Sequence, residues 1–421
     1  MARTEEQYQE RAINTICAIQ LHQTLTLPLD PTSNRPYPIR ITYSDVRPNP
    51  PSSASTADEP TVLFIPGMMG GRYFGFHAEK AAKKYGVRVL TLDRFGTGGT
   101  TMVPLEERMQ RWIEIIPPFL DRLGVKHIAL ASHSVGAVYA LNIVLHLRQY
   151  LHPKAPYVAL TVPWVTPAHS GVALMSAASM LPVSWTGNLH NVIRGVNNNI
   201  GPIFNFSSGL YGKITNMSSI PASSPSTSDA ADGTGNGTTN GENVGEEQQD
   251  EDDERSKSEK KKQSDAISSF VMKCAFAENM EGGSQDALLC LQKNPDPTTT
   301  NADNINSSSP QKSLWGTWTD YADVIPVLAA QESQLLPLNP TNNNEGAKKM
   351  LIQAFYASSD RMIGKKGGEY VDKCWKEKGD EQFEYESTVV EGADHDSIVS
   401  EEIGVLDTIL KTAAERFRGE D

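Results

Sequence analysis

Residues 127–149 read HIALASHSVGAVYALNIVLHLRQ, and this stretch decides the fold class of the chain. The run at 127–131 is short and apolar, which predicts a buried β-strand. From about residue 135 the apolar pattern is longer and predicts a helix. A strand that passes almost directly into a helix is the repeating unit of a parallel sheet.

The same alternation continues on both sides of this stretch. The sequence predicts strands at 24–29, 39–44, 61–65, 87–92, 127–131, 157–162, 350–356 and 385–391. It predicts helices at 5–21, 74–85, 104–123, 135–149, 365–379 and from Ser397 onward. The first two strands flank a turn-rich connection and favour a hairpin. The others alternate with helices, which predicts an α/β fold with right-handed crossovers.

One long insertion interrupts the alternation. We expect residues 1–167 and 346–421 to form two parts of one core, with an inserted segment at 168–345. Within the insertion, helical patterns occur at about 265–292 and 313–334. Residues 221–265 contain no Leu, Ile, Met, Phe, Trp or Tyr, and 294–312 are also polar, so disordered loops are predicted there.

Composition excludes several classes of protein. The formal net charge of −13 disfavours binding to phosphate backbones, so no nucleic-acid partner is expected. The four cysteines have no C-x-x-C spacing, which argues against a zinc or redox centre. The sequence contains no apolar run of ~18 residues and no signal-peptide pattern, so we expect no membrane span and a cytoplasmic location.

The segment ASHSVGA at 131–137 resembles the nucleophile elbow G-x-S-x-G of the α/β-hydrolase superfamily. Ser134 occupies the nucleophile position and Gly136 the second small position, whereas Ser132 replaces the first glycine. The resemblance covers residues 24–165 and 348–417. It implies a mostly parallel sheet of the α/β-hydrolase type, with the insertion as a helical cap over the active site.

The same resemblance implies an oxyanion hole of two backbone N–H groups. Val135 follows the nucleophile and supplies one; Met68, in the loop PGMMGG at 66–71, is the candidate for the other. Asp93 begins the turn DRFGTG at 93–98, which resembles the D-x-x-G-x-G turn of the superfamily. We interpret Asp93 as a structural residue that stabilises this turn and the loop at 66–71, which we call the oxyanion loop.

Two further positions complete a catalytic triad. His395 follows the last strand in EGADHDS, which resembles the G-x-x-H loop, and would be the general base. Asp360 follows the strand at 350–356 and would be the acid that orients the histidine. The chain order Ser134, Asp360, His395 is the order of this fold. His133 is a rival base, but as the neighbour of Ser134 we expect it to point to the other side of the turn.

The resemblance implies hydrolysis of an ester, thioester or lactone through an acyl-serine, with no cofactor and no metal. The expected partner is a small acyl substrate. Because 170–187 is apolar and almost uncharged, we expect the substrate to be largely apolar, although other cap helices could absorb that surface instead. A serine amidase or peptidase and a catalytically silent binding protein of the same fold remain open alternatives.

Overall fold

The structure is a computed structural model of the chain. It describes residues 4–30, 32, 36–48, 59–200, 259, 262–263, 266–294, 313–335, 348–379 and 381–419.

Eight strands form one sheet in the order β1-β2-β4-β3-β5-β6-β7-β8. The strands are β1 Gln23–Leu27, β2 Ile39–Val46, β3 Thr61–Ile65, β4 Arg88–Leu92, β5 Ala129–His133, β6 Tyr157–Thr161, β7 Met350–Ala357 and β8 Phe383–Val390. The pairs β1/β2 and β2/β4 are antiparallel, and the other five pairs are parallel. The predicted hairpin and the mostly parallel α/β sheet are therefore confirmed.

Thirteen helices accompany the sheet in the described part of the chain. They are α1 Glu5–Ile16, α2 Gly75–Tyr85, α3 Arg108–Arg122, α4 Gly136–His146, α5 Pro167–Ser170, α6 Ala173–Met180, α7 Val183–Thr186, α8 Leu189–Ile200, α9 266–277, α10 Glu281–Cys290, α11 Tyr321–Leu335, α12 Gly364–Lys378 and α13 Val405–Arg418. Short 3₁₀ turns lie at Ile19–Leu21, Arg72–Phe74, Leu105–Glu107, Arg148–Tyr150, Ser397–Val399 and Glu401–Ile403.

The strand order places helices on both faces of the sheet. The chain passes from β3 to β4 on one side and then returns past β3 to β5, so right-handed crossovers put α2 and α3 on opposite faces. In agreement, α2 packs against α13, whereas α3 packs against α4. The central strands are covered on both faces, and every residue of β3, β5 and β6 is buried.

The ends of several predicted elements differ from the observed ones, and two of these differences have identifiable reasons. The elbow strand extends to His133 instead of ending at 131, because its residues continue to pair with β6 as far as His133 and Thr161. The last helix begins at Val405 instead of Ser397. Gly404 immediately before it has φ +81, a left-handed conformation that interrupts a helix.

The inserted residues leave the sheet after β6 and return at β7, although these two strands are direct neighbours. The helix predicted over 265–292 is two helices, α9 and α10. Between them the backbone N–H of Gly98 donates to the carbonyl of Asn279 at 2.8 Å, and this bridge accompanies the break. The segments predicted to be disordered, 221–265 and 294–312, lie outside the described residues except at 259, 262–263 and 294.

The apolar segment after β6 is only partly buried. Met175 packs into the core, but Met180 is 82% exposed and Trp185 is 65% exposed. Part of the apolar surface of this segment is therefore exposed to solvent and not packed against neighbouring helices. Among helices of the described ranges, none combines the length and apolarity needed to cross a bilayer.

Candidate active site

Ser134 lies in a tight turn between β5 and α4, at the carboxyl edge of the sheet. Its φ of +53 is in the left-handed region, which is uncommon for a residue with a side chain. The backbone N–H of Ser134 donates to the carbonyl of Thr161 at 2.9 Å, which ties the turn to the end of β6. Strained backbone of this kind persists where the surrounding structure holds it, and it is concentrated at functional sites.

The residues on either side of the turn must be small because strand and helix converge there. A Cβ on Gly136 would lie 2.1 Å from the carbonyl oxygen of Ile65, at the end of β3. Ser132 is fully buried and its hydroxyl reaches the carbonyl of Ala159 at 3.4 Å. Serine is therefore accommodated where the motif has glycine.

The structure brings together the three side chains predicted to form the triad. His395 Nε2 lies 3.0 Å from Ser134 Oγ, and His395 Nδ1 lies 2.9 Å from Asp360 Oδ2. A carboxylate only accepts hydrogen bonds, so Nδ1 carries the proton and Nε2 is left free to accept the serine hydroxyl. The other carboxylate oxygen of Asp360 accepts the backbone N–H groups of Met362 and Ile363 at 2.7 and 2.8 Å.

Burial and neighbouring charge shift the pKa values of His395 and Asp360 in opposite directions. Loss of water disfavours the imidazolium, but the carboxylate of Asp360 outweighs it and raises the pKa of His395 above 6.5. Burial likewise opposes the charge of Asp360, but His395 and the two backbone N–H groups lower the pKa of that carboxyl below its ordinary value. The pair is built to stabilise a proton on the imidazole next to an ionised carboxylate.

The two backbone N–H groups predicted to form the oxyanion hole lie in the segments next to Ser134. A Cβ on Gly67 would lie 3.5 Å from Ser134 Cβ, so the loop after β3 runs directly past the serine. Within the described ranges, neither the N–H of Met68 nor that of Val135 has a hydrogen-bond acceptor. Val135 lies at the N-terminus of α4, where the helix dipole also favours negative charge.

The ring of His133, which we expected to point to the other side of the turn, contacts the two loops next to Ser134. Its Nε2 donates to the backbone carbonyl of His395 at 2.7 Å, and its Nδ1 would lie 2.5 Å from a Cβ on Gly67. Burial and the neighbouring His395 lower the pKa of His133 to about 4, so this ring is neutral at ordinary pH. His133 thus contacts both the histidine loop and the oxyanion loop.

The turn after β4 braces the oxyanion loop through two charged residues. Asp93 accepts the backbone N–H of Arg72 at 2.7 Å and the Arg72 guanidinium at 2.6 Å, just beyond the loop. This agrees with the structural role predicted for Asp93. Arg94 also reaches the loop, where its guanidinium donates to the carbonyls of Pro66 and Gly67.

Sequence analysis missed Arg94 and its partner Asp286. The two side chains pair at 2.8 Å although they lie 192 positions apart. Asp286 also accepts from Arg108 and Tyr139, and all four residues are buried. Asp286 comes from α10, within a segment whose sequence shows only a helical pattern, so no local signal could have identified its partners.

Apolar side chains pack against one part of the oxyanion loop. Met69 packs in a buried cluster with Ile193, Phe276 and Met280, and Met68 lies partly buried against it. These side chains come from the oxyanion loop and from the inserted residues. Across the described ranges, no group of three or more His, Cys, Asp or Glu side chains could hold a metal ion.

Comparisons with known proteins report similarity only to solved structures. No family model and no curated protein matches the chain. A carboxylesterase of the thaumarchaeon Nitrososphaera gargenis is similar at 14% identity, covering 90% of this chain and 93% of that chain, with a TM-score of 0.45. An esterase from Thermogutta terrifontis is similar at 12% identity, covering 92% and 96%, with a TM-score of 0.46.

An enol-lactonase from Burkholderia xenovorans is similar at 8% identity, covering 89% of this chain and 96% of that chain, with a TM-score of 0.47. Similarities this distant do not assign a substrate or a mechanism to the chain. The chain's own topology is informative: a mostly parallel sheet, a strand–turn–helix carrying Ser134, and Asp360 and His395 following in that order. These features together give the chain the α/β-hydrolase fold.

Proposed function

We propose that this protein is a serine hydrolase that cleaves an ester, thioester or lactone through an acyl-serine intermediate. The observation that carries the proposal is the continuous hydrogen-bond chain from Ser134 Oγ through His395 to Asp360, with the histidine in the tautomer that accepts the serine proton. A serine hydroxyl is a poor nucleophile unless a positioned base removes its proton as it attacks.

The first half of the reaction acylates the serine. Ser134 Oγ attacks the substrate carbonyl carbon while its proton passes to His395 Nε2, and the carbonyl oxygen becomes an oxyanion. The N–H groups of Met68 and Val135 donate to that oxygen. The tetrahedral intermediate then collapses, the bond to the leaving oxygen or sulfur breaks, and His395 returns the proton to the leaving group.

The second half releases the acid. A water molecule gives its proton to His395 Nε2 and its oxygen attacks the acyl carbon. Collapse breaks the bond to Ser134 Oγ, and the proton on His395 restores the serine hydroxyl. In both halves Asp360 holds the Nδ1 proton and stabilises the imidazolium, which agrees with the raised pKa of His395.

We further propose that the inserted residues 168–345 form a cap and that the substrate has a largely apolar acyl or alcohol part. Support comes from the apolar cluster that packs the inserted side chains Ile193, Phe276 and Met280 against Met69 of the oxyanion loop. Apolar substrate surface buried there would contribute about 25 cal/mol per Å². A serine amidase or peptidase, which would use the same three residues, is the alternative within this mechanism.

A fluorophosphonate probe tests the proposal, because it phosphonylates only an activated serine. We expect the purified protein to be labelled at Ser134 and to hydrolyse a nitrophenyl ester. Ser134→Ala should abolish labelling and lower kcat about a thousandfold or more. Ser132→Ala is the matched control, since Ser132 is equally buried but its hydroxyl faces the carbonyl of Ala159.

The possible outcomes separate the candidate functions. Labelling that survives Ser134→Ala, or turnover that is near normal in that variant, would remove the serine-hydrolase proposal. A complete lack of labelling and turnover in the unsubstituted protein would favour a binding protein with this fold.

A further inference from the structure

The inserted helix α10 is connected to the oxyanion loop by a buried ion pair. Asp286 of α10 accepts from Arg94 Nε at 2.8 Å, and both side chains are no more than 1% exposed. Arg94 in turn donates from its other two nitrogens to the carbonyls of Pro66 and Gly67. One planar guanidinium thus joins the insertion to the two residues of the oxyanion loop that precede Met68.

This contact helps to fix the direction of the backbone N–H of Met68. The carbonyl of Gly67 and the N–H of Met68 belong to the same peptide unit, which is trans. In a trans peptide the C=O and N–H bonds point in opposite directions. The Gly67 carbonyl accepts from Arg94 Nη2 at 2.6 Å and from the backbone N–H of Gly70 at 3.0 Å, so the N–H of Met68 points away from both donors.

The carboxylate of Asp286 gives each arginine its own oxygen. Oδ2 accepts from Arg94, whereas Oδ1 accepts from Arg108 and from the Tyr139 hydroxyl. Burial disfavours the carboxylate, but the two arginines outweigh it and lower the pKa of Asp286. Asp286 therefore stays ionised, and Arg94 keeps a fixed orientation without contact with solvent.

A second contact joins α10 to the same loop. A Cβ on Gly283 would lie 2.0 Å from Met69 Sδ and 3.2 Å from Met69 Cγ. Met69 has φ +62 and directly follows Met68. The absence of a side chain at Gly283 therefore lets the helix pack onto the strained part of the loop.

We propose that Arg94, held by Asp286, is a positioning residue of the oxyanion hole, and that the insertion is needed to align the Met68 N–H. This inference rests on the proposed function. Under it, α10 is part of the catalytic framework in addition to any role in substrate access. The active site is complete only when residues more than 100 positions beyond β6 have packed against the loop after β3.

Arg94→Lys tests the inference, with Arg108→Lys as the matched control. Lysine keeps the charge beside Asp286 in both variants but has a single nitrogen, so it cannot bind the carboxylate and both loop carbonyls together. Arg108 shares Asp286 but donates to Gly282 and Tyr139 and has no bond to the oxyanion loop. Circular dichroism and thermal melts would first establish whether both variants are folded.

For Arg94→Lys we expect kcat on a nitrophenyl ester to fall about tenfold to a hundredfold, with KM changed less than about twofold, since a misdirected oxyanion donor affects the transition state and not the ground state. Affinity for a trifluoromethyl ketone, which forms a tetrahedral adduct, should fall by a similar factor. The pH midpoint of kcat/KM should not move. Arg108→Lys should lose less than about threefold in kcat.

Equal losses in the two lysine variants, or an unchanged kcat in Arg94→Lys, would overturn the inference. Fluorophosphonate labelling of the unsubstituted protein separates failure of this inference from failure of the proposed function. If Ser134 is not labelled, both the serine-hydrolase proposal and this inference fall. If Ser134 is labelled but the two lysine variants lose equal activity, only this inference falls. If Arg94→Lys does not fold, Gly283→Ala replaces it, because it keeps every charge and displaces Met69. Gly195→Ala is then the control. A kcat that is severalfold lower in Gly283→Ala than in Gly195→Ala supports the inference, and equal kcat values in the two variants overturn it.

Discussion

Replacing Asp360 with asparagine should abolish the correct histidine tautomer, and the structure indicates which way the new amide would face. Asp360 Oδ1 accepts two backbone N–H groups, from Met362 and Ile363. The asparagine oxygen should keep those two bonds, because an NH₂ group there would face two donors. Its NH₂ group must then face His395 Nδ1, where the carboxylate oxygen lies 2.9 Å away in the unsubstituted protein.

An NH₂ group can only donate, so the proton of His395 must move from Nδ1 to Nε2. The ring would then present an N–H to Ser134 Oγ, across the present distance of 3.0 Å, and could no longer accept the serine proton. A triad with the wrong tautomer loses about ten-thousandfold in kcat. That factor corresponds to about 5 kcal/mol of transition-state stabilisation.

The assay is kcat/KM on a nitrophenyl ester between pH 5 and 10. In the unsubstituted protein the rate should rise with pH through a midpoint above 6.5, because the neutral imidazole is active and Asp360 raises the pKa of His395. In Asp360→Asn the midpoint of the residual rate should lie at lower pH, since burial lowers the pKa of His395 and the largest opposing charge, that of Asp360, is gone.

Asp394→Asn is the matched control. Asp394 is next to His395 in the chain, and its Oδ1 also accepts two backbone N–H groups, but its carboxylate has no hydrogen bond to the imidazole. We expect this control to lose less than about threefold. If Asp360→Asn kept more than about a tenth of the activity with an unchanged midpoint, the role inferred for Asp360 would be wrong.

Four further predictions follow from the structure and the sequence. Gly136→Ala should lower the melting temperature by several degrees relative to Gly195→Ala, because its Cβ would lie 2.1 Å from a backbone oxygen, whereas a Cβ on Gly195 meets nothing within 4 Å. The stabilisation that the His395–Asp360 pair contributes, measured by denaturant unfolding against Asp360→Asn, should be complete between about pH 4 and about pH 6.5, where Asp360 is ionised and His395 is protonated. It should decline as the pH rises through the raised pKa of His395, and a larger contribution at pH 9 than at pH 6 would contradict it. Deletion of 221–265, which has no large apolar side chain, should leave the melting temperature within about 2 °C, and limited proteolysis should cut there first; strong amide protection in that segment would refute this. In a series of nitrophenyl esters from acetate to octanoate, kcat/KM should rise severalfold per methylene until the pocket is full, and a flat or falling series would remove the apolar-substrate proposal.

Local sequence patterns were enough to predict the strands of the sheet and the loops that carry the candidate site residues. A strand followed within three residues by a helix constrains the turn at Ser134, and the apolar runs of the central strands mark them as buried on both faces. The resemblance to the α/β-hydrolase superfamily supplied the three candidate residues, and because the carboxyl ends of parallel strands meet at one edge, Ser134, Asp360 and His395 were expected to lie together. The distances of 2.9 and 3.0 Å agree with that expectation.

Element ends were less predictable, since pairing and backbone conformation with distant partners decide them. β5 continues to His133 through its pairing with β6, and the bridge from Asn279 to Gly98 accompanies the break between α9 and α10. The sequence also contained no sign of the hydrogen bond between His133 and the His395 carbonyl, because side-chain contacts in a strained turn depend on what packs against it.

The sequence by itself determined the α/β alternation, the elbow around Ser134 and the chain order of the three site residues, because those depend on interactions within one strand–turn–helix unit or on sheet topology. Only the tertiary structure decided the orientation of the oxyanion loop. That orientation depends on Arg94 binding the carbonyls of Pro66 and Gly67 while Asp286, 192 positions away, holds its guanidinium. A buried ion pair has no sequence periodicity, and its partners are chosen by which elements pack together once water is excluded.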